Sequence, residues 1–351
     1  MKKRLTILLL TALLVLNSVP AAHAADASYL DVPPDHWAAE NIERATELGL
    51  FQGIGDGKFG LEQPITRAAF ATVLVRLFGW EEVKPDQPSY TDVAKDDWYY
   101  TAVETVLAND AVAASSHTFR PEDALTRGEM ASMLVRGLGY TSLAGVAETY
   151  HVPFTDVTVN KGFITVAYDL GIMGGVGSNR FAPDLSATRE QAATVLVRVH
   201  NQLSITPIQL TNAGDYRLIT ISTPIAQAGD EIPITPLEPL PELYSTLRRM
   251  KNSDEDMAET ALRLMAGGVR TITDAGGNPI SGTELISAKE VEKILTGKDV
   301  TISFSDRYES AYCIYHPNAY QTATVWYQSD ESTAAKLQLA KLFGVTKYVL
   351  E

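Results

Sequence analysis

Three arginines stand where a positive charge could hold an anion. Arg67, Arg127 and Arg189 each follow a threonine, Thr66, Thr126 and Thr188, and the Thr-Arg pair recurs after 60 and then 62 residues. Threonine is a good N-cap, because its hydroxyl accepts from a backbone N–H two or three residues on. Each arginine therefore falls at the first position of a helix. A cation there opposes the helix dipole by roughly 0.3–1 kcal/mol on an exposed surface, and three copies make the same locally unfavourable choice. Two readings are open. Either the arginine pairs with a carboxylate of a neighbouring copy, or the guanidinium and the free N–H groups of the helix start form an anion site together.

Other chemistry is thin. Cys313 is the only cysteine, which excludes an internal disulfide, and it lies three residues from His316 in a strand-like run. That spacing puts the two on opposite faces of a strand, so they do not make a nucleophile pair. No His/Cys set has metal-ligand spacing, and no Gly-rich phosphate loop or nucleophile elbow occurs. No catalytic residue, metal ligand or cofactor is expected. Asp306 and Glu309 are a carboxylate pair of the kind a glycosidase uses, but a lone acidic pair carries no specificity. Tyr308, Tyr312, Tyr315, Tyr320, Trp326 and Tyr327 could line a glycan-binding face, and the ordinary expectation is that they divide between core and surface.

The arginines must be positioned by a repeated unit. Phe70, Val73 and Leu74 follow the first threonine at helical spacing, as do Met130, Met133 and Leu134 in the second copy and Ala192, Val195 and Leu196 in the third. This is one apolar helix face. Glu129 and Gln191 stand three residues after their threonines and complete capping boxes, while Ala69 does not. Each helix has a partner upstream. Tyr29-Leu30-Asp31-Val32, Tyr90-Thr91-Asp92-Val93 and Phe154-Thr155-Asp156-Val157 share the pattern aromatic-x-Asp-Val, and Trp37 and Trp98 follow their aspartates by six residues. Ile42, Ala45 and Leu48 keep helical spacing and Gly49 ends the run. Phe59, Phe119 and Phe181 each precede their arginine by eight residues. A period near 60 makes the first half three copies of helix, Gly-containing loop, helix.

Aromatic-x-Asp-Val, the Trp, the Phe turn and the Thr-Arg-x-Glu helix together resemble the S-layer homology (SLH) module, three tandem copies of which are that family's usual arrangement. The resemblance covers roughly Tyr29 to His200. It implies a pseudo-threefold helical bundle with grooves between repeats. It also implies binding of secondary cell-wall polysaccharide, often carrying pyruvylated N-acetylmannosamine, which tethers surface proteins of Gram-positive bacteria without a covalent bond. Arg67, Arg127 and Arg189 match the family's ligand-binding arginine, and Asp31, Asp92 and Asp156 its motif aspartate. A pyruvyl ketal presents a carboxylate that a guanidinium holds by charge-assisted bonds of about 1.5–3 kcal/mol. For the aspartates the favoured role is capping the first helix of each repeat, with sugar hydroxyls the alternative. Trp37 and Trp98 are expected in the core rather than as sugar platforms, although both remain ligand-contact candidates.

The copies diverge. Gly53, Gly55 and Gly57 in the first repeat, and Gly174, Gly175 and Gly177 in the third, allow close approach of a ligand to backbone. The second repeat has Ala113-Ala114-Ser115-Ser116-His117 there, and the third has Gly162-Phe163 in place of the Trp. One groove is expected intact and at least one weak. Arg67, whose own repeat keeps both Gly loop and Trp, is expected to matter most. Arg76, Arg136 and Arg198, nearly three turns along the same helices, are expected to serve as controls.

Residues 1–24 read as a signal peptide: Lys2, Lys3 and Arg4, an apolar run from Leu5 to Leu16, then Ala22-His23-Ala24. Cleavage before Ala25 leaves no membrane span. It also takes three cations from a chain of net charge −14, giving −17. So acidic a surface disfavours nucleic acid and anionic lipid, and an anionic partner must be caught in local basic pockets. The organisation expected is repeats at 25–87, 88–150 and 151–203, a proline-rich connection over 204–241, and a domain at 242–351. The fold class is a mainly α N-terminal half followed by a small α+β domain of unrecognised family. In the latter, helices are expected from Ser253 to Gly267, after the Ser287 capping box, and from about Ser332 to Phe343. Strands are expected at Val269–Thr273, Val300–Phe304, Ala311–Tyr315, Ala323–Tyr327 and Lys347–Leu350, with a further candidate at Tyr216–Thr223.

Overall fold

A computed structural model describes residues 29–351 except 115, 205–207, 213, 215, 220–238, 281, 306, 307 and 309. The expected leader and its cleavage site, most of the proline-rich stretch, and Asp306 with Glu309 lie outside the described residues. The chain forms two units that meet in sequence at 204/205.

The first unit is built from the repeats. Its helices are α1 (Ala39–Glu47), α2 (Arg67–Phe78), α3 (Tyr100–Ala108), α4 (Arg127–Gly137), α5 (Thr141–Ala147), α6 (Lys161–Asp169) and α7 (Arg189–Ser204). The threonines cap as their type requires: Thr66 accepts from Ala69 N–H, Thr126 from Glu129 N–H and Thr188 from Gln191 N–H. Only the second repeat closes the full capping box, with Glu129 accepting from Thr126 N–H. The box expected at Gln191 does not form; its side-chain Oε1 is buried without a partner.

Three copies close into a ring. The second helix of each repeat packs on the first helix of the next: α2 on α3, α4 on α6, and α7 back on α1. At the centre the residues before the threonines hydrogen-bond in a triangle. Ile65 N–H donates to Ala187 O at 3.0 Å, Ala187 to Leu125 O at 2.8 Å, and Leu125 to Ile65 O at 2.9 Å. All three are buried, so the ring needs each backbone bond, since an unpaired buried peptide group is costly. Around it Phe59, Phe119 and Phe181 are fully buried, each tilted against the motif aromatic of its own repeat at 5.4 to 5.5 Å.

The linker after the second repeat forms α5, which packs on α6. Gly162 explains why the third repeat is small at this point. A Cβ there would lie 1.9 Å from Ala144 O, so no other residue permits this approach. Gly162 N–H donates to the Glu148 carboxylate at the end of α5.

The second unit is α+β. A four-stranded parallel sheet runs in the order β1 (Gln209–Leu210), β9 (Lys347–Leu350), β3 (Thr260–Leu264), β2 (Arg217–Ile219). A five-stranded antiparallel sheet runs β5 (Glu284–Ile286), β4 (Gly268–Asp274), β8 (Gln321–Tyr327), β7 (Ser310–Asn318), β6 (Val300–Ser305). Helices α8 (Leu240–Asn252), α9 (Ala288–Leu295) and α10 (Asp330–Leu342) complete it. The strands β4, β6, β7, β8 and β9 lie where alternation places them, and Ser287 caps α9 as expected. The helix expected from Ser253 to Gly267 is absent. The helix instead precedes it, with Leu240, Leu243, Tyr244, Leu247 and Met250 on one buried face and Pro241 in its first turn. The Ser253 region ends that helix, and residues 260–264 pair as β3 between β2 and β9. The stretch from 205 is more than a connection, because β1 and β2 both belong to the parallel sheet.

Candidate functional site: the inter-repeat grooves

The arginines do not serve their own repeats. Arg67 reaches the loop of repeat two, where its Nε donates to Phe119 O at 2.8 Å. Arg127 reaches repeat three, donating to Phe181 O at 2.9 Å and Gly174 O at 2.7 Å. Arg189 reaches repeat one, donating to Phe59 O and Gln52 O, both at 2.9 Å. Each guanidinium also lies 4.8 to 5.0 Å over the ring of the Phe whose carbonyl it holds, a cation–π arrangement. Burial pulls all three arginines below the ordinary guanidinium value, opposed most strongly by Glu129 for Arg67, Asp156 for Arg127 and Tyr29 for Arg189.

The helix starts themselves are not free. Arg67, Arg127 and Arg189 donate their backbone N–H groups to Asp123 O, Leu185 O and Gln63 O. Ala68 and Gly128 donate to Pro121 O and Pro183 O. The first N–H groups therefore hold the neighbouring repeat, and what remains for an anion is the outer edge of the guanidinium. Among the described residues, Nη1 of Arg127 and of Arg189 has no hydrogen-bond partner.

The motif aspartates do not cap the first helices. Asp31 accepts from Phe59 N–H at 2.7 Å, Gly60 N–H at 2.8 Å and Leu61 N–H at 3.0 Å. Asp92 accepts from Phe119 and Arg120 N–H, and Asp156 from Phe181 and Ala182 N–H. The residue after each Phe is left-handed, with φ of 88° at Gly60, 60° at Arg120 and 57° at Ala182. That step turns two successive N–H groups towards the aspartate while the Phe carbonyl faces the neighbour's arginine. Burial raises the Asp31 carboxyl, but the backbone donors of Leu61, Phe59 and Gly60 together hold it below the ordinary value. The donor from Phe181 does most to hold Asp156 down. The aspartate clamps the loop that the arginine grips, 28 residues on in the first repeat, which a sequence window of one helix cannot show.

The tryptophans are exposed, against the expectation of a core position: Trp37 is 60% and Trp98 66% accessible. Both precede their helices by two residues, and the buried faces begin later, at Ile42 and at Tyr100. Trp98 stands beside a hollow of about 150 Å³ that gathers all three repeats. It is lined by Gln52, Gly53 and Ile54 of the first loop, by Ala69, Thr72 and Arg76 of α2, by Trp98 ahead of α3, and by Arg189 of α7. This is the first groove. Arg76 is therefore part of the groove wall rather than a remote control, and it also donates to Leu50 O.

The ring's symmetry gives the other two. The second groove holds Arg67, the loop from Ala113 and α4 with Glu129. The third holds Arg127, the loop at Gly174 and Gly175, α7 with Gln191, and Trp37 ahead of α1. Counted back from the helix ends at Gly49 and Gly171, the place of Trp37 is taken in the third repeat by Val159, which is 52% exposed. The second groove accordingly has no indole. Arg136, the counterpart of Arg76, lies over Phe163 instead, 4.7 Å from its centroid.

Gly53 and Gly175 are required by packing. A Cβ at either would meet a backbone carbonyl at 2.7 Å, and the motif aromatic at 3.0 Å in the first case and 2.7 Å in the second. Gly55 differs, since it has open space around it and a φ of 107°. A larger hollow of about 390 Å³ lies at the α1–α7 junction, lined by Glu40, Glu43, Glu47 and Arg44 among others. Arg44 is already paired with Glu47, so this hollow repels an anion.

In the second unit Cys313 is buried, and burial pushes its thiol up to about 11, while His316 is exposed. No cluster of three metal-ligating side chains exists among the described residues. The aromatics divide as ordinary strand residues do, with Trp326 and Tyr327 buried and Tyr320 at the exposed β7–β8 turn.

A family model described as the S-layer homology domain matches residues 28–71, 89–131 and 153–193. The chain is 28% identical to a surface layer protein of Brevibacillus choshinensis, over 94% of this chain and 26% of that protein. It is 26% identical to an S-layer protein of Bacillus thuringiensis subsp. finitimus, over 64% of this chain and 27% of that one. It is 35% identical to the middle cell wall protein of Brevibacillus brevis, over 42% and 14%. The chain thus spans about a quarter of the length of the first two relatives and less of the third. Among solved structures it is similar to a putative sporulation-specific glycosylase of Bacillus subtilis, at 19% identity and a TM-score of 0.31 over 38% of this chain and 43% of that one. A TM-score of that size carries no argument.

Proposed function

We propose, from the premise that the chain carries three S-layer homology domains, that it is a cell-surface protein held non-covalently on the Gram-positive wall by an anionic secondary polysaccharide. The observation that carries this is the first groove, where the guanidinium of Arg189, the exposed indole of Trp98 and the backbone of Gln52–Ile54 converge from three repeats. An acid sugar substituent such as a pyruvyl ketal places its carboxylate at the open edge of Arg189 and its sugar face against Trp98. The overall charge of −14 makes this local cation the attractive feature of an otherwise repulsive surface. Asp31, Asp92 and Asp156 act by shaping the loops, since their oxygens already accept from backbone.

The second unit is displayed by this anchor as an adaptor or recognition domain. A second reading, a subunit of the surface lattice, draws support from the Brevibacillus choshinensis surface layer protein, whose alignment takes in nearly the whole chain, second unit included. A third, a wall-bound glycan hydrolase, is kept as an outcome of the test. The test is sedimentation of the mature chain with purified wall, intact and stripped of its polysaccharide. Co-sedimentation with intact wall alone supports the anchor. Equal binding to both rejects the polysaccharide, release of sugars points to the hydrolase, and ordered sheets point to the lattice.

A further inference from the structure

Among the described residues the second unit has four sheet edges, at β1, β2, β5 and β6. Three of them are short: β1 has two residues, β2 and β5 three each. Two of these also carry a paired charge, Arg217 of β2 on Glu255 and Glu284 of β5 on Arg270. The fourth edge, β6, runs for six residues, Val300-Thr301-Ile302-Ser303-Phe304-Ser305. It contains no charge, no proline and no glycine, and among the described residues it pairs with β7 alone. An edge strand presents a row of N–H and C=O groups that pairs with another chain unless the strand is short, charged, bulged or covered. β6 is long and uncharged, and Thr301 and Ile302 are exposed. A six-residue run of this composition has the makings of a self-pairing segment.

Ile302 is 56% exposed although it lies on the core face of its sheet. It stands opposite Cys313, and Cys313 opposite Val325, both fully buried in one cluster with Val291 of α9. Val300 and Phe304, two residues to either side of Ile302, pack on that cluster. The row Val325, Cys313, Ile302 is therefore apolar up to the sheet's edge and stops there at an exposed side chain. Antiparallel pairing of β6 with its own counterpart, about a twofold axis at Ile302, continues the row. Ile302 then meets Ile302, Val300 meets Phe304 and Thr301 meets Ser303. Directly opposite residues share a face of the sheet, so apolar side chains meet apolar ones and hydroxyls meet hydroxyls. A register shifted by one residue sets Ile302 against Ser303 and turns the two apolar rows to opposite faces. In the matched register Asp299, just ahead of β6, falls opposite Ser305, so these acids do not oppose each other.

We propose that β6 is a docking edge for a second copy of this chain, joining the two five-stranded sheets edge to edge through antiparallel β6–β6 pairing centred on Ile302. Charge favours this place for it. Chains of net charge −14 repel one another, and β6 is a stretch where two of them approach without bringing acids together. The contact is small, because one strand pair buries less than the roughly 1,200 Å² of a stable interface. Dilute chains therefore stay largely single, while chains crowded on one surface pair, since a shared surface raises their effective concentration. The pairing belongs to the second unit and does not depend on what the grooves of the first unit bind.

Cysteine crosslinking of the full mature chain under a mild oxidant reads both the pairing and its register, with the native Cys313 buried. Ile302→Cys is expected to give a covalent dimer. Thr301→Cys and Ser303→Cys are each expected to give none alone, since like positions then lie more than about 7 Å apart, beyond disulfide reach. Mixed together, these two variants are expected to give the dimer. Tyr320→Cys, at an exposed turn, measures crosslinking by random collision. Adding Ile302→Lys to both members of the mixture sets two ammonium groups directly opposite each other, and the crosslink is expected to be lost with the melting temperature unchanged. Variants are compared once melting shows them folded, and if Ile302→Cys does not fold the mixture decides. Crosslinking no faster than that of Tyr320→Cys, in the folded Ile302→Cys chain or in the mixture, overturns the proposal. So does a dimer from Thr301→Cys alone, the mark of parallel in-register stacking, or a mixed crosslink that survives Ile302→Lys.

Discussion

The first and second grooves are related by the ring's own rotation, yet their walls are built from different residues. In the first, a guanidinium edge is open, an indole is exposed and no acid stands nearby on α2. In the second, the guanidinium has a carboxylate on it, the indole is replaced by Val159 and the loop has lost its glycines. The scaffold is the same in both: the arginine's Nε on a Phe carbonyl, the aspartate under the Phe loop, the central triangle of backbone bonds. A threefold scaffold thus tolerates divergence of the groove surface because the bonds that hold it lie beneath that surface. Scaffold and groove surface are separable here, and mutations are expected to sort by layer.

The largest effect is expected beneath the surface. Gly162→Ala places a Cβ 1.9 Å from Ala144 O, a clash with backbone that no rotamer relieves. Overpacking of this kind costs about 1–3 kcal/mol and sometimes more, so α5 must move off α6. Gly145→Ala, within α5 and with open space around it, is the matched control. It is expected to gain up to about 1 kcal/mol from helix propensity. Chemical denaturation of both variants gives the contrast, and equal stabilities would show that α5 does not sit where described.

Next is the loop clamp. Asp31→Ala removes the acceptor of three N–H groups and is expected to cost about 1–3 kcal/mol, read as a lower melting temperature. The sign with pH follows from the shift. The Asp31 carboxyl is held below its ordinary value of 3.8 when folded. Its contribution is therefore fully present above that value and is lost as pH falls through the lower folded value. An acid titration should show the native chain losing stability in that window, and Asp31→Asn should flatten the loss.

The smallest structural effect belongs to the surface. Trp98→Ala removes an exposed ring and is expected to change stability by no more than about 0.5 kcal/mol. It should weaken wall binding by roughly twofold to tenfold, the worth of an aromatic contact of about 0.5–1.5 kcal/mol. A large drop in melting temperature would return the indole to the core.

How much of this was legible in the sequence follows from the same layering. The repeat, the caps at Thr66 and Thr126 and the helix faces recur three times, so each was visible against its copies. Trp37 was misplaced because its distance from the aspartate was visible and its distance ahead of the buried face at Ile42 was not weighed. The reach of Arg67 into the second repeat, and the clamp from Asp31 to Phe59, are contacts of long sequence separation that no periodicity encodes. In the second unit nothing repeats. There the pattern at Ser253 looked like a helix start, but the apolar spacing at Leu240, Leu243, Tyr244 and Leu247 was hidden behind a run of prolines.

The central claim is that the groove surface binds and the scaffold beneath it does not. Sedimentation with wall, intact and stripped of its polysaccharide, tests it most directly, using the Arg127→Ala/Arg189→Ala double variant at a temperature where melting shows it folded. If these guanidinium edges hold the polysaccharide, the folded double variant should bind intact wall on the order of a hundredfold more weakly than the native chain, because tethered sites reinforce one another. A folded double variant that binds intact wall as the native chain does would contradict the account.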